Sequence, residues 1–361
     1  MENVCTIILA AGKGTRMGTG APKVLRQLLD KPLIYWTLDL VSQLKSKESG
    51  VSVIALLSRG EIVDFFNEFT EYGANIKPSI EVIPAIEDMV RLNGKRVDVV
   101  FLGFDPNHPS IQKHFGREPN RRKNSRIAAG QRDFLQEIGF SYINLSPDDQ
   151  GLYELVLSGQ TVEKAIRFCE IAVSQEGNIS VLERLKKENA NLWDETLSIY
   201  ANLPNYLNDA RKLNGKFLFQ LFFRVGCPGM QYVEEKVGPL QEKVFDALNA
   251  VHEAGGVVLY SPEGEFDLNI WEKLKNEGID GIMAWHADYL GKNRGKEDVP
   301  LEIITKEHRD GYLILGGSDF QGLDWEIGTG NNGRMQIGKR RHEELIRCIK
   351  SRNNGRLPWK K

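Results

Sequence analysis

An aspartate that follows a buried-strand pattern is the first residue whose type and position could do chemistry. The apolar run Tyr312–Leu315 predicts a buried strand, and Gly316 and Gly317 after it predict a sharp exit into a loop. Asp319 then stands at the carboxyl end of a parallel strand, which is where α/β barrels keep their catalytic groups. The alternative is that the Asp319 side chain only caps a glycine-rich turn.

Four earlier segments carry further short motifs. They span residues 58–66, 76–82, 254–262 and 278–286. Together with Gly316–Gly322 they resemble, in order and spacing, the PHP (polymerase and histidinol phosphatase) family of metal-dependent phosphoesterases. The resemblance covers roughly residues 50 to 325. It implies an α/β fold, a distorted TIM-like (β/α)7 barrel with metal ions at the strand ends.

The resemblance implies a metal site, but most of its ligands are replaced here. Glu81 matches the family's glutamate after its third strand, and Asp319 matches the aspartate of its G-S-D-x-H motif. Gln321 stands for the histidine of that motif, and Ser261 for the histidine of the A-H-P motif. An amide oxygen is a weak ligand for such ions. We therefore expect a metal site at Glu81 and Asp319 to be unoccupied, so no cofactor is strongly indicated. A divalent Mg, Mn or Zn ion is the alternative.

The resemblance leaves a barrel mouth suited to binding a ligand. Arg59 falls at the histidine of the family's T-D-H motif, and His286 keeps a place near a strand end. The alternative for His286 is a hydrogen-bonded structural role. With Ser261, Asp319 and Gln321, these residues would surround a phosphorylated or nucleotide-like molecule that is bound and not hydrolysed. Asp319 is the catalytic candidate if any hydrolysis survives.

The amino end carries a second pattern whose residues could do chemistry, a glycine-rich loop. Thr6–Ala10 predicts a strand, and the run Gly12-Lys13-Gly14-Thr15-Arg16-Met17 follows it closely. Glycines after a strand allow backbone N–H groups to converge on a phosphate. Arg16 and Lys23 add positive charge to the same segment. The loop therefore predicts phosphate binding.

This L-A-A-G-x-G-T-R-M…P-K pattern resembles the signature loop of the sugar-nucleotide and cytidylyl transferases over about the first 45 residues. There the counterparts of Arg16 and Lys23 neutralise the pyrophosphate leaving group and the α-phosphate, which makes Lys23 a catalytic candidate. A transferase also needs a metal-binding carboxylate, for which Asp105 is the only weak candidate. The alternative is that this segment merely completes the first βα unit of the barrel, or is inherited from a longer fusion.

The bulk composition is that of an ordinary globular protein. The chain has 361 residues, 41% of them hydrophobic and 27% charged, and a formal net charge of −2. No global basic field recruits nucleic acid, and the sequence has neither a signal peptide nor an apolar run long enough to span a membrane. The four cysteines have no C-x-x-C spacing, which argues against a zinc knuckle or a disulfide framework. We expect a cytoplasmic protein whose partner is a small phosphorylated molecule or a nucleotide; the sequence does not indicate an oligomeric state.

Periodicity predicts the elements that position these residues. Strands are predicted at Val51–Leu57, Ile76–Ile83, Val97–Gly103, Phe217–Phe223 and Val257–Tyr260. Helices are predicted at Glu61–Tyr72, Thr161–Ser174, Ser180–Asn189, Glu242–Glu253 and 341–350.

Some local features are predicted in more detail. Ser180 and Glu183 form a capping-box pattern, and Phe245 is expected on the inward face of its helix. The basic run Arg117–Arg126 predicts a solvated loop, with phosphate binding as the alternative.

The predicted domain organisation has three parts. Residues 1–48 carry the phosphate loop and a first βα unit, residues 49–330 form the barrel with a helical insertion over about 128–215, and residues 331–361 form a basic carboxyl-terminal segment. Two functions stay open: a degenerate phosphoesterase-like barrel that binds a phosphorylated ligand, or a nucleotidyltransferase-like enzyme that binds a nucleoside triphosphate through the amino-terminal loop.

Overall fold

The fold is given by a computed structural model. It describes residues 9–10, 27–28, 31–32, 51–56, 62–64, 66–67, 70–71, 80–159, 164–200, 210–223, 226–238, 242–262, 266–285, 299–316 and 339–360. The chain divides into two compact units. Unit 1 combines Met1–Arg117 with Gln241–Lys361, and unit 2 is Glu118–Leu240.

Unit 1 contains the strands of the described chain. They are β1 (Leu9–Ala10), β2 (Gln27–Leu28), β3 (Lys31–Pro32), β4 (Val51–Leu56), β5 (Ile80–Leu92), β6 (Lys95–Leu102), β7 (Glu242–Lys243), β8 (Val257–Tyr260), β9 (Gly281–Trp285) and β10 (Leu313–Gly316). Among the described residues β2 and β3 form a separate antiparallel pair, and the rest form one eight-stranded sheet in the order β1-β4-β5-β6-β8-β9-β10, with β7 beside β5.

The sheet is mixed, which confirms the α/β class in its coarse form. Neighbouring strands are parallel except where β6 pairs with β5 and with β8. In the part of the chain that the structure describes, β1 pairs only with β4 and β10 only with β9. The (β/α)7 barrel therefore stays a prediction.

A tight hairpin explains why one strand runs against the others. β5 and β6 are joined by Asn93 and Gly94, whose φ angles are +50° and +82°. Positive φ at both central positions suits the two-residue hairpin turn that Asn-Gly favours. The predicted strand Ile76–Ile83 covers only the start of β5, which continues to Leu92, and Val97–Gly103 covers most of β6. The predicted (β/α)7 barrel did not anticipate an antiparallel strand such as β6.

The helices, in chain order, are α1 (Pro109–Phe115), α2 (Arg117–Glu137), α3 (Pro147–Leu157), α4 (Lys164–Ser174), α5 (Ile179–Glu188), α6 (Ala190–Tyr200), α7 (Ala210–Phe223), α8 (Pro228–Val237), α9 (Val244–Glu253), α10 (Leu268–Glu277), α11 (Leu301–Arg309) and α12 (Lys339–Arg352). None of the helices in the described residues is both long and apolar enough to cross a membrane.

Unit 1 is held together by one apolar core. The strands β5, β6, β8, β9 and β10 and the helices α1, α9, α10 and α12 contribute buried side chains to it. Phe101 on β6 and Phe115 on α1 are fully buried, with ring centroids 5.1 Å apart. The predicted helix at Glu61–Tyr72 is confirmed in part, because Ile62 and Phe66 have helical backbone and lie in this core.

The chain from α12 onward packs into the same core. Leu345, Ile349 and Trp359 are buried there. Gly103 follows β6 at φ +64°, and a Cβ at this position would collide with Ile349 and Trp359. The predicted helix at 341–350 is confirmed, and the close approach requires glycine at position 103.

A buried charge network joins α10 to α11. Glu307 is fully buried, and its Oε1 atom lies 3.2 Å from Nζ of Lys275 and 3.3 Å from Nζ of Lys306. Burial alone raises the pKa of Glu307, but the side chains of Trp271, Lys275 and Lys306 lower it, and the net pKa lies below its ordinary 4.5.

Unit 2 is helical and has an apolar core of its own. Phe134 on α2 lies 5.4 Å from Phe222 and 5.6 Å from Phe223 of α7, measured between ring centroids. Phe168 and Val233 are buried in the same cluster. Edge-on aromatic pairs of this kind add to the stability that burial provides.

Three expectations for unit 2 were wrong. Phe217–Phe223 is part of helix α7 and not a strand. The basic run Arg117–Arg126 is the start of helix α2, although Arg121 and Arg122 are exposed as expected for a solvated segment. Ser180 is not the N-cap of α5, because the helix begins at Ile179 and Asn178 occupies the N-cap position without a capping hydrogen bond to its side chain.

One expectation for unit 1 was also wrong. Phe245 is 56% exposed, whereas Val244, Leu248 and Val251 on the same helix are buried as predicted.

Candidate functional site

Six strands of the sheet run in the same direction and end at the same edge. Because β6 is antiparallel to both of its neighbours, β5 and β8, the strands β1, β4, β5, β8, β9 and β10 all run in one direction. We call the side where they end the carboxyl edge, and the opposite side the amino edge. Ligands of α/β sheets bind at carboxyl edges.

The predicted residues follow these strand ends closely in sequence. Gly12 comes two residues after β1, Arg59 three residues after β4, Ser261 directly after β8, His286 directly after β9, and Asp319 three residues after β10. Of these, only Ser261 is within the described part of the chain. The candidates Gly12, Gly14, Thr15, Arg16, Lys23, Arg59, His286, Asp319 and Gln321 lie outside the described residues.

Ser261 is held firmly at the carboxyl edge. Its backbone N–H donates to the carbonyl oxygen of Asp98 on β6 at 2.9 Å, which continues the pairing of β6 with β8. The residue is only 2% exposed. A serine hydroxyl can donate a hydrogen bond to a ligand or accept one from it.

Asp98 lies beside Ser261, and the sequence analysis had not selected it. It interrupts the apolar alternation of β6 with a half-buried carboxylate. A single acidic residue inside an apolar strand is the signal that could have identified it.

Tyr260 belongs to the helix-packed side of β8. Its ring stacks on Trp271 of α10 with an interplanar angle of 14°. Burial and the nearby charges of Asp267 and Asp98 raise the pKa of Tyr260 to about 12. The phenol therefore stays protonated at neutral pH and is unsuited to act as a base.

Glu81 is placed differently from the other candidates. It is the second residue of β5 and pairs in register with Ser52, the second residue of β4. The resemblance to the phosphoesterases implies a position after a strand, whereas this one is near the amino end of β5. Its role as a metal ligand stays a prediction.

The carboxylate considered for nucleotide transfer lies at the wrong edge. Asp105 follows β6, which ends at the amino edge because it is antiparallel. The Asp105 backbone N–H donates to Ala254 just before β8, and its Oδ1 accepts from the backbone N–H of Asn107 at 2.9 Å. Asp105 therefore shapes a turn on the side opposite to the loop that follows β1.

The described residues offer no metal cage. Within the ranges that the structure describes, no group of three or more His, Cys, Asp or Glu side chains could hold a metal ion. Ser261 is the residue that the structure describes directly after β8 at the carboxyl edge. Its hydroxyl is a weaker metal ligand than an imidazole.

A buried charge cluster lies at the amino edge. Asp280 precedes β9, and its carboxylate accepts hydrogen bonds from His252 Nε2 at 2.8 Å, from the Val258 backbone N–H at 2.7 Å, and from both terminal nitrogens of Arg352. These contacts join α9, β8 and α12. Removing one partner from such a buried charge cluster costs stability, so we assign the cluster a structural role.

The amino-terminal region is similar to known transferases. Residues 4–76 match the family described as IspD, 2-C-methyl-D-erythritol 4-phosphate cytidylyltransferase. The bifunctional protein GlmU of Thermoanaerobacter pseudethanolicus is 39% identical over 72 residues, which is 20% of this chain and 15% of that protein. GlmU of Pelobacter propionicus is 59% identical over 39 residues, or 11% of this chain and 8% of that protein. The chain thus spans only a small part of the curated relatives it matches.

Two solved structures are similar over most of the chain at low identity. One is described as a metal-dependent phosphoesterase of Bifidobacterium adolescentis, with 15% identity, a TM-score of 0.47, and coverage of 87% of this chain and 90% of the other. The second is an amidohydrolase of Chromobacterium violaceum, with 15% identity, a TM-score of 0.45, and coverage of 88% and 87%. At TM-scores below 0.5 neither likeness bears on function. The similarity that bears on function is the match of residues 4–76 to the cytidylyltransferase family.

Proposed function

We propose that the chain binds a nucleotide or another phosphorylated small molecule through the loop at Gly12–Met17. The observation that carries this proposal is the match of residues 4–76 to a cytidylyltransferase family. The match includes both glycines of the loop together with Arg16 and Lys23. Backbone N–H groups and two cations are the groups that phosphate oxygens require.

The topology supports the proposal. β1 pairs in parallel with β4 through Leu9 and Ala10, so the loop begins from the carboxyl edge. The segment after β8 begins from that edge as well, with Ser261 at its start. A nucleotide held at the loop would therefore have its remaining groups recognised by segments that follow other strands.

Thermal unfolding of the full chain with CTP, UTP or pyrophosphate tests this function. Binding is expected to raise the melting temperature, because a ligand at about 100 times its dissociation constant stabilises a protein by about 2.7 kcal/mol. The double substitution Arg16→Ala with Lys23→Ala is expected to abolish the rise.

The matched control removes two cations that are outside the sequence of the loop. Lys273→Ala with Lys350→Ala replaces two exposed residues and is expected to leave the rise unchanged. Equal rises in the wild type and the loop variant would remove the loop from the function.

The finer part of the proposal is that the carboxyl edge binds its ligand without metal-dependent hydrolysis. Arg59, Ser261, His286, Asp319 and Gln321 are the proposed ligand contacts there. The support is chemical: a hydroxyl and an amide stand where metal-ligating imidazoles would be needed.

Elemental analysis of the purified protein tests this finer part. Less than one equivalent of Zn, Mn or Fe per chain is expected, together with background hydrolysis of p-nitrophenyl phosphate, since a catalytic zinc usually has three protein ligands. The change Ser261→His with Gln321→His is expected to add at most weak binding of one ion. Two or three tightly held ions in the wild type would contradict the proposal.

A further inference from the structure

A cleft in unit 1 lies between α1 and α9. Its volume is ≈ 390 Å³. The two helices meet where Ser110 Oγ donates a hydrogen bond to the carbonyl oxygen of Ala250 at 2.7 Å, and both residues are buried. This hydrogen bond joins the two helices at the floor of the cleft.

The wall formed by α9 is acidic. Asp246, Asn249 and Glu253 line the cleft and are all exposed. Their spacing of three and four residues places them on one face of the helix. Asp246 and Glu253 are seven residues apart, which is about 10 Å along the helix axis.

The wall formed by α1 carries one lysine and two histidines. Lys113 and His114 line it, and His108 lies at its start. Nδ1 of His108 is 2.7 Å from Ser110 Oγ, so its imidazole is tied to the floor of the cleft.

The charges of the two walls face each other without pairing. Among the residues the structure describes, Lys113 forms no ion pair with Asp246 or Glu253, and the closest acidic contact of His114 is Glu242 at 3.8 Å. Charges that stay hydrated on both sides of a gap can gain energy from a ligand that carries the complementary charges.

We propose that this cleft binds a basic amino acid, with arginine as the best fit. Counting imidazoles as neutral, the walls present one ammonium group and two carboxylates. Arginine has one carboxylate for Lys113 and two cationic ends for Asp246 and Glu253. Its guanidinium group also matches a carboxylate bidentately.

The same charges argue against a phosphorylated ligand here. Two carboxylates would repel a phosphate dianion, and a single lysine could not compensate for both. The cleft therefore has a different ligand from the one proposed for the amino-terminal loop, and the two sites can be tested separately.

Titration calorimetry of the full chain with L-arginine at low salt is the direct test. Binding is expected, and it should weaken as salt screens the charges. Citrulline, which has nearly the shape of arginine but no side-chain charge, should bind up to about fivefold more weakly. Agmatine, which lacks the carboxylate, should lose affinity by a similar factor. Citrulline binding as well as arginine, or no arginine binding at all, would overturn the proposal.

Three single substitutions locate the site. Asp246→Asn, Glu253→Gln and Lys113→Met should each weaken arginine binding by up to about fivefold. Glu302→Gln and Lys273→Met change exposed residues of unit 1 that do not line the cleft and should have no effect. Unchanged melting curves would show that the variants are folded. An arginine affinity that is equal in all five variants would assign the binding to another place and refute the proposal.

Discussion

Replacing Asp280 with alanine is expected to lower the free energy of unfolding by about 3 kcal/mol. The side chain is 7% exposed, and its removal leaves the guanidinium of Arg352, the imidazole of His252 and the backbone N–H of Val258 without their acceptor. Urea denaturation of the wild type and the variant measures the difference. Asp280→Asn keeps the shape and part of the hydrogen bonding, so it should lower the free energy of unfolding by less.

The control for this substitution is Asp194→Ala on α6, an exposed aspartate. Its effect should stay within about 0.5 kcal/mol. A loss as large as that of Asp280→Ala would show that the buried contacts of Asp280 are not the cause.

Acidification should remove the same contribution. Burial raises the pKa of Asp280, but hydrogen bonds from His252 and Arg352 and their charges lower it further, so the net pKa lies below its ordinary 3.8. A carboxylate with a depressed pKa stabilises the fold above the pKa of the unfolded chain, and that stability is lost as pH falls through the folded value. The difference between the wild type and Asp280→Asn should therefore shrink below about pH 4. A constant difference down to about pH 2 would contradict this account.

Replacing Trp271 with alanine is expected to cost about 3–5 kcal/mol. Trp271 is fully buried, stacks on Tyr260, and meets the ring of Tyr312 edge-on with centroids 5.2 Å apart. The Lys275 ammonium also lies 5.7 Å from its ring centroid. The truncation therefore opens a cavity between β8, α10 and β10 and weakens the charge network around Glu307.

Denaturation midpoints and slopes in urea measure this loss. Trp271→Phe fills most of the space and should lower the free energy of unfolding clearly less than Trp271→Ala does. Leu268→Ala on the same helix removes a side chain that is 47% exposed, and it should cost under about 1 kcal/mol. Equal losses for Leu268→Ala and Trp271→Ala would rule out burial as the reason.

Apolar runs predicted most strands of unit 1 well. Val257–Tyr260 was predicted with its observed bounds, and Val51–Leu57 differs by one residue. The same rule failed at Phe217–Phe223, because a continuous apolar run fits a buried helix as well as a buried strand. The buried residues Phe217, Leu218, Leu221 and Phe222 recur at helical spacing, but Gly215 and Gly226 flank the run in the way that favours a strand.

The direction of β6 was predictable, and it decides part of the candidate site. The Asn93–Gly94 pair between two apolar segments is a strong hairpin signal. It makes β6 antiparallel, and this single fact moves Asp105 to the amino edge and brings Asp98 next to Ser261. The contacts of Asp280 with Arg352 join residues far apart in sequence, and no local pattern indicates them.

Unit 1 is formed by two separate stretches of the chain, and this has a consequence for synthesis on the ribosome. Unit 2 is continuous in sequence, whereas the core of unit 1 needs Leu345, Ile349 and Trp359 beside Gly103. At about 5–20 residues per second, those side chains emerge roughly 5–20 s after unit 2 is complete. During that interval the apolar residues of β6 lack part of their cover, so the nascent chain presents a binding site for chaperones until α12 has been made.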